Sequence, residues 1–286
     1  MRDDYCDVTI VLDESGSMEP LQQDTIGGVN RFLKDQRALP GKCTLSLLKF
    51  NHEDRPVFTG RPIAEAPDLT IGTYQPNGNT ALLDALGRAI TEAGSRLRAM
   101  SEADRPGKVI IMVVTDGEEN SSRTWTKEKI KEAVERQMNV YKWQFVFLGA
   151  NVDAFAEAGA LGMAASHTMQ THPTRQSVAG SYSSASLNTA KFRSGASKSM
   201  AWTDEQRKEQ EKAAGGTHMS LTDQQKADCK PGQGTITMGE TAKYCEDREK
   251  NLSPADKSLQ RTLAMKQPSQ ANSSLTGRWK ASPSWI

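Results

Sequence analysis

The feature that most constrains this chain is a series of short, continuous apolar runs separated by longer segments of helical period. The runs are Val8-Thr9-Ile10-Val11-Leu12, Leu45-Ser46-Leu47-Leu48, Val109 to Val114, and Phe145-Val146-Phe147-Leu148. A strand with one wet face alternates apolar and polar residues, whereas a nearly uninterrupted apolar run suits a strand covered on both faces. Between the runs, Ile26, Val29, Phe32 and Leu33 share one helical face; Leu82, Leu83, Leu86, Ile90 and Leu97 share another. Ile130, Val134 and Met138 mark a third helix, and Val152 with Phe155 begins a fourth. Pro56 and Pro62 bracket Val57-Phe58, which reads as an edge strand because Pro cannot donate to a central ladder. The alternation predicts an α/β, doubly wound domain.

The pattern ends near residue 170, and composition divides at the same place. Residues 1–170 carry 19 Lys and Arg against 24 Asp and Glu, net −5; residues 171–286 carry 17 against 11, net +6. Large apolar residues number 51 in the first part and 19 in the second, so only the first can offset the ordering entropy of a full core. Three regions are expected: a domain over 1–170, a Ser/Ala-rich and charged helical extension over 171–214, and a polar, extended C-terminal arm over 215–286. Within the extension, Leu187 and Phe192 are the expected anchors, and Thr203 is placed to cap a charged helix. The arm's apolar residues are sparse, with Trp279, Trp285 and Ile286 at its end.

The chemistry-bearing residues gather at the predicted strand ends. The first run leads into Asp13-Glu14-Ser15-Gly16-Ser17, a D-x-S-x-S sequence, and the third into Thr115-Asp116-Gly117. In an open parallel sheet, ligands collect beyond the carboxyl ends of the strands, so both loops belong to one rim. Gly16 permits a tight turn that brings Asp13, Ser15 and Ser17 together. The turn cluster Asn77-Gly78-Asn79-Thr80 leads straight into the Leu82 helix and presents Thr80 at the junction. Two carboxylates and three hydroxyls make an all-oxygen set suited to a hard cation; the absence of His and Cys from these positions argues against zinc and copper. Magnesium takes about six oxygens and usually keeps waters. Ligands that are mostly neutral hydroxyls leave its charge under-compensated, favouring an anionic oxygen from outside, such as a partner's Asp or Glu.

Asp13-x-Ser15-x-Ser17, Thr80 and Asp116-Gly117 resemble the metal-ion-dependent adhesion site of the von Willebrand factor A domain family. The resemblance covers roughly residues 5–170, and the stretch beginning Phe147-Leu148-Gly149-Ala150-Asn151 is similar to its intracellular bacterial and phage branch. It implies a Rossmann-like, mostly parallel sheet with helices on both faces and one divalent ion, Mg2+ or Mn2+, on top. By the resemblance, Ser15, Ser17 and Thr80 hold that ion directly, while Asp13 and Asp116 act directly or through water. The implied function is a metal-dependent protein-binding module whose cation bridges to an acidic residue of a partner. The alternative is a structural subunit of a phage particle or other assembly, the arm contacting neighbouring subunits.

Other classes fit less well. A haloacid-dehalogenase-type phosphatase needs a second Asp where Ser15 stands, and Ser cannot serve as that acid near neutral pH. None of His52, His167, His172 or His218 is adjacent to a motif Ser, and the P-loop and dinucleotide fingerprints are absent, so no enzymatic activity is expected. Glu14, Glu118 and Glu119 read as solvated loop acids, His52 as a surface residue, and Trp125 and Trp143 as packing. Basic residues of the arm are interleaved with acids such as Asp204-Glu205 and Glu246-Asp247, so nucleic acid is not an expected partner. No apolar run reaches the ~20 residues of a membrane span, and the N-terminus lacks a signal-peptide h-region. Cys6, Cys43, Cys229 and Cys245 form no disulfide framework, and the expected location is cytoplasmic, or the virion of a phage.

Overall fold

The computed structural model describes residues 1–150 and 153–214. The arm over 215–286, with Cys229 and Cys245, and the residues Asn151 and Val152 lie outside the described residues. Among the described residues six strands form one sheet: β1 (Arg2–Asp13), β2 (Lys42–Phe50), β3 (Asp54–Pro62), β4 (Pro106–Thr115), β5 (Gln144–Ala150) and β6 (Thr168–Thr171), in the order β3-β2-β1-β4-β5-β6. Every neighbouring pair is parallel except β2 with β3. The four apolar runs are β1, β2, β4 and β5, and the Pro-bracketed segment is the antiparallel edge strand β3. That strand extends over both prolines, because an edge strand has one side needing no ladder donor.

Among the described residues six α-helices cover the sheet: α1 (Gln22–Arg37), α2 (Leu82–Ala99), α3 (Lys127–Tyr141), α4 (Ala154–Ala160), α5 (Arg175–Ser194) and α6 (Asp204–Ala213). Strand side chains alternate between two cores. Cys6, Val8, Ile10 and Leu12 of β1 join Ile110, Met112 and Val114 of β4 beneath Val29, Phe32 and Leu33 of α1. Val11 joins Val109, Ile111 and Val113 beneath Leu82, Leu86 and Ile90 of α2, with Ile130 and Val134 of α3. Both faces being covered is the physical reason that these runs carry almost no polar residue. In α4 the buried positions are Ala154 and Ala158, while Phe155 is half-buried and stacks with Arg207 at 5.5 Å.

Beyond residue 170 the chain contributes to the same core. Val178, Tyr182, Ala185, Phe192, Met200 and Trp202 all belong to the α1 side. Leu187 is 50% exposed and anchors nothing, whereas Phe192 is buried. The helix α5 packs through small residues, Ser177, Ser181, Ala185, Ser186 and Thr189, so it carries no broad apolar stripe. Close approach replaces side-chain bulk here: a Cβ at Gly28 of α1 would overlap the Tyr182 ring. Helix α6 starts on a complete capping box, Thr203 with Gln206, and buries Gln206 and Gln210.

The α1–α5 contact generates a paired prediction. Gly28→Ala, which forces Tyr182 to move, is expected to destabilise the chain by about 1–3 kcal/mol in denaturant unfolding. Gly27→Ala, at a site with nothing within 4 Å, is expected to be neutral or to stabilise by up to ~1 kcal/mol. Equal effects of the two would contradict the packing described.

Candidate metal centre

Strand order steps outward from β1 in both directions, so the gap between the carboxyl ends of β1 and β4 is the switch point of the sheet. Asp13, the last residue of β1, is fully buried there. Its Oδ1 accepts from the Ser15 backbone N–H at 2.7 Å, and its Oδ2 accepts from the Thr115 hydroxyl at 2.6 Å. Its carbonyl oxygen accepts from the buried Tyr74 hydroxyl at 2.6 Å. The turn enforced on Ser15 carries the chain into a 3₁₀ segment, Gly16–Leu21. Ser15 sits at the cap position of that segment, yet its side chain caps nothing. Instead its hydroxyl lies 3.0 Å from that of Ser17, and the Ser17 hydroxyl donates to Asp116 Oδ1 at 2.7 Å.

Thr80 arrives from a third segment. The Gly16 N–H donates to the Gly78 carbonyl at 3.0 Å, which pins the Asn77–Thr80 turn to the first loop. Gly78 has φ +76°, and a side chain there would also collide with the His52 ring. Asn120 and Ser121, just past β4, donate to the Thr80 carbonyl at 3.0 and 3.2 Å, and Asn120 Oδ1 accepts from the Thr80 N–H at 2.9 Å. A Cβ at Gly117 would lie 3.1 Å from Thr80 Oγ1 and 3.4 Å from Ser17 Oγ. Glycine at 117 therefore keeps open a space that the two hydroxyls face.

The five residues singled out in the sequence, Asp13, Ser15, Ser17, Thr80 and Asp116, thus meet across three loops. Asp13, Ser15, Thr80 and Asp116 are buried, and Ser17 is exposed at the mouth. Burial pushes the Asp13 carboxyl up from 3.8 to about 6, with the Asp116 charge adding to the rise and the Thr115 and Ser15 hydrogen bonds opposing it. Among the described residues no group of three or more His, Cys, Asp or Glu side chains forms a metal cluster, so this donor set mixes hydroxyls with carboxylates and is wholly oxygen. Its chemistry, and the space held open by Gly117, fit a small hard cation.

Several supporting residues escaped the sequence reading. Glu14 is no solvated acid: it is buried, ion-paired with Lys49 Nζ at 2.6 Å, and accepts from the Gln75 N–H at 2.7 Å. Glu119 accepts from the N–H groups of Leu83, Ser121 and Ser122. Ala81, at the cap position of α2, has no side-chain acceptor, so Glu119 and the Ser122 hydroxyl satisfy the first helical N–H groups from a distant loop. Asp84 reciprocates, accepting from the N–H groups of Arg123, Thr124 and Trp125. The only signal of this in the sequence is the placing of Asp84 in the first turn of a helix; the pairings span 36 to 41 residues. Trp125 packs over Gly87, and Trp143 is buried, as packing residues.

No curated protein matches the chain in sequence. Among solved structures, proximal thread matrix protein 1 from the mussel byssus aligns at TM-score 0.46 and 16% identity, covering 66% of this chain and 46% of that one. A von Willebrand factor type A protein from Catenulispora acidiphila aligns at TM-score 0.46 and 18% identity, covering 66% and 42%. The manganese-loaded TRAP protein of Plasmodium vivax aligns at TM-score 0.44 and 14% identity, covering 60% and 70%. The chain spans less than half the length of the mussel and Catenulispora structures. The family description "von Willebrand factor type A domain" matches residues 7–177, from the middle of β1 to the start of α5. On that match, and with the sheet order and helical layers it requires in place, the chain belongs to the von Willebrand factor type A domain family.

Proposed function

We propose that this domain is a non-enzymatic, metal-dependent protein-binding module, with Asp13, Ser15, Ser17, Thr80 and Asp116 holding one Mg2+ or Mn2+ ion. The observation that carries the reading is the meeting of five oxygen-bearing side chains from three loops, with Ser17 bonded to Asp116 across 99 residues. Serving as ligands, Ser15, Ser17 and Thr80 would offer neutral hydroxyls, with Asp13 and Asp116 supplying negative charge. Bound there, a divalent cation supplies an exposed Lewis-acidic position that takes a carboxylate oxygen from a partner's Asp or Glu. The chain's own part is to hold the donors still. Thr115 orients Asp13, Asn120 orients Thr80, and the Glu14–Lys49 pair holds the 75–77 turn against β1.

A Ser–His pair outside this site supports the non-enzymatic reading. Ser199 Oγ lies 3.0 Å from His167 Nε2, but His167 Nδ1 faces the Ser166 hydroxyl, not a carboxylate. Burial, with the Arg207 charge adding to it, lowers His167 to about 4, which makes it a weak proton acceptor. Among the described residues no helix is long and apolar enough to cross a membrane.

Expected outcomes fall into three groups, the first concerning the metal ligands. Titration calorimetry of Mg2+ or Mn2+ into Asp13→Ala, or into Ser15→Ala with Ser17→Ala, should show binding abolished with the circular dichroism of the fold retained; unchanged affinity sinks the assignment. Thr115→Val, which removes only the hydroxyl oriented on Asp13, should weaken the metal about 10–100-fold.

The second concerns pH. In the metal-free chain Asp13 keeps its proton up to about pH 6, above its ordinary 3.8. The folded state then binds more protons than the unfolded one between those values, so this group's contribution to stability falls as pH rises through the window and is level above it. Cation and proton compete for Asp13, so metal affinity should fall about tenfold per unit on acidification below pH 6. A flat affinity from pH 7 to 5 would remove Asp13 from the ligand set.

The third concerns catalysis: chain supplied with Mg2+ should show no phosphatase or esterase turnover above background, and a rate abolished by Asp13→Asn would overturn the module reading.

A further inference from the structure

We propose that Cys6 and Cys43 form a redox-closable dithiol, at which a low-molecular-weight disulfide drives formation of an intramolecular cystine joining β1 to β2. The two residues are register partners on adjacent parallel strands. Both are buried, and both belong to the core on the α1 side, so their side chains leave the sheet on the same face. Neighbouring strands lie about 4.8 Å apart, inside the roughly 4.4–6.8 Å Cα separation that a disulfide spans. The site stands apart from the metal centre, since it occupies the amino ends of the strands whose carboxyl ends carry Asp13.

The surroundings assign different roles to the two thiols. The Cys43 S–H faces its neighbour's carbonyl, Thr44 O, at 3.8 Å. The neighbouring Cys43 thiol and burial push the Cys6 thiol well above its ordinary value. The guanidinium of Arg193 lowers both. That cation is itself held in place, donating to Gln36 O at 2.7 Å and to the carbonyls of Pro40 and Gly41 at 3.3 and 3.4 Å. Cys43 is the attacking thiol on geometry: it follows the exposed Gly41 and Lys42 at the end of the β1–β2 ladder, whereas Cys6 lies in a central strand and is also paired with Lys108 of β4.

The chemistry balances as two thiol–disulfide exchanges. The Cys43 thiolate attacks one sulfur of oxidised glutathione, forming a mixed disulfide and releasing one glutathione thiolate. The Cys6 thiolate then attacks Cys43 Sγ, closing the cystine and releasing the second. Two electrons pass from the protein thiols to the reagent disulfide, and the two protein protons end on the two glutathione thiols. Access comes from the end of the ladder. Tyr5–Lys42 and Cys6–Cys43 are the first two rungs of the β1–β2 pairing, and Lys42 and Gly41 are exposed. Local opening of those two rungs is the route by which the reagent would reach the thiols.

The test is incubation of the native full chain, carrying Cys229→Ser and Cys245→Ser, with oxidised glutathione. Peptide mapping without reductant is expected to find Cys6 joined to Cys43, with a mass lower by two hydrogens and full reversal by dithiothreitol. The closed loop should raise Tm by roughly 5–15 °C. Adding Cys6→Ser should trap Cys43 as a stable mixed disulfide with glutathione. Two thiols still free after incubation, glutathione retained on the Cys6-containing chain, or a cystine that lowers Tm would each overturn the proposal.

Discussion

The hydrogen bond from the Thr115 hydroxyl to Asp13, 2.6 Å long, closes the gap between the ends of the two central strands, and the site is built outward from it. With one carboxylate oxygen fixed to β4, the other takes the Ser15 N–H and turns the chain over the switch point. That turn swings Ser17 across to Asp116. The closure works against a cost. Hydrogen bonds to a charged group contribute about 1.5–3 kcal/mol each, yet Asp13 still rises from 3.8 to about 6. Relative to an exposed carboxylate the charged form is disfavoured by about 3 kcal/mol, so burial outweighs both bonds. A buried acid held at that cost is poised for a positive charge, and that is the physical case for a cation above it.

The loops around this acid are held by side chains reaching between segments. Helix α2 begins at Leu82 with Ala81 in the position where Ser, Thr or Asp would normally cap. Its first N–H groups are satisfied by Glu119 and Ser122, and Asp84 ties the same loop down from the helix side. Thr80 lies immediately before this exchange, so the missing local cap makes its placement depend on the loop after β4. The Glu14–Lys49 pair does the same on the other flank. A buried ion pair adds little net stability against a hydrophobic equivalent; its value here is the fixed geometry of the 75–77 turn.

The opposite ends of the strands carry different chemistry. There Cys6 and Cys43 pair in register, and Arg193 of α5 bonds the Pro40 and Gly41 carbonyls just ahead of Cys43, so the helix beyond residue 170 shapes that end of the sheet as well as the core. Small Ser and Ala positions, and Gly28 admitting the Tyr182 ring, bring the two helices close.

Five of the six strands, the first three helices and the five residues of the candidate site were legible in the sequence, while β6 was not. Uninterrupted apolar runs and 3.6-residue spacing are local consequences of which faces are covered, and Asp13, Ser15 and Ser17 share one tight loop whose spacing is visible in a line of text. Only the tertiary structure decided how Thr80 is held, why Asp13 is driven toward its protonated form, and that residues 171–202 complete the core. Thr115 reaches Asp13 over 102 residues, Tyr74 over 61, and Glu119 reaches Leu83 over 36. Contacts at such separations leave no period in the sequence. The burial of α5, expected only as a helical extension, stayed hidden for a related reason: small polar residues bury well when a neighbouring backbone comes close, and that closeness is a property of two helices together.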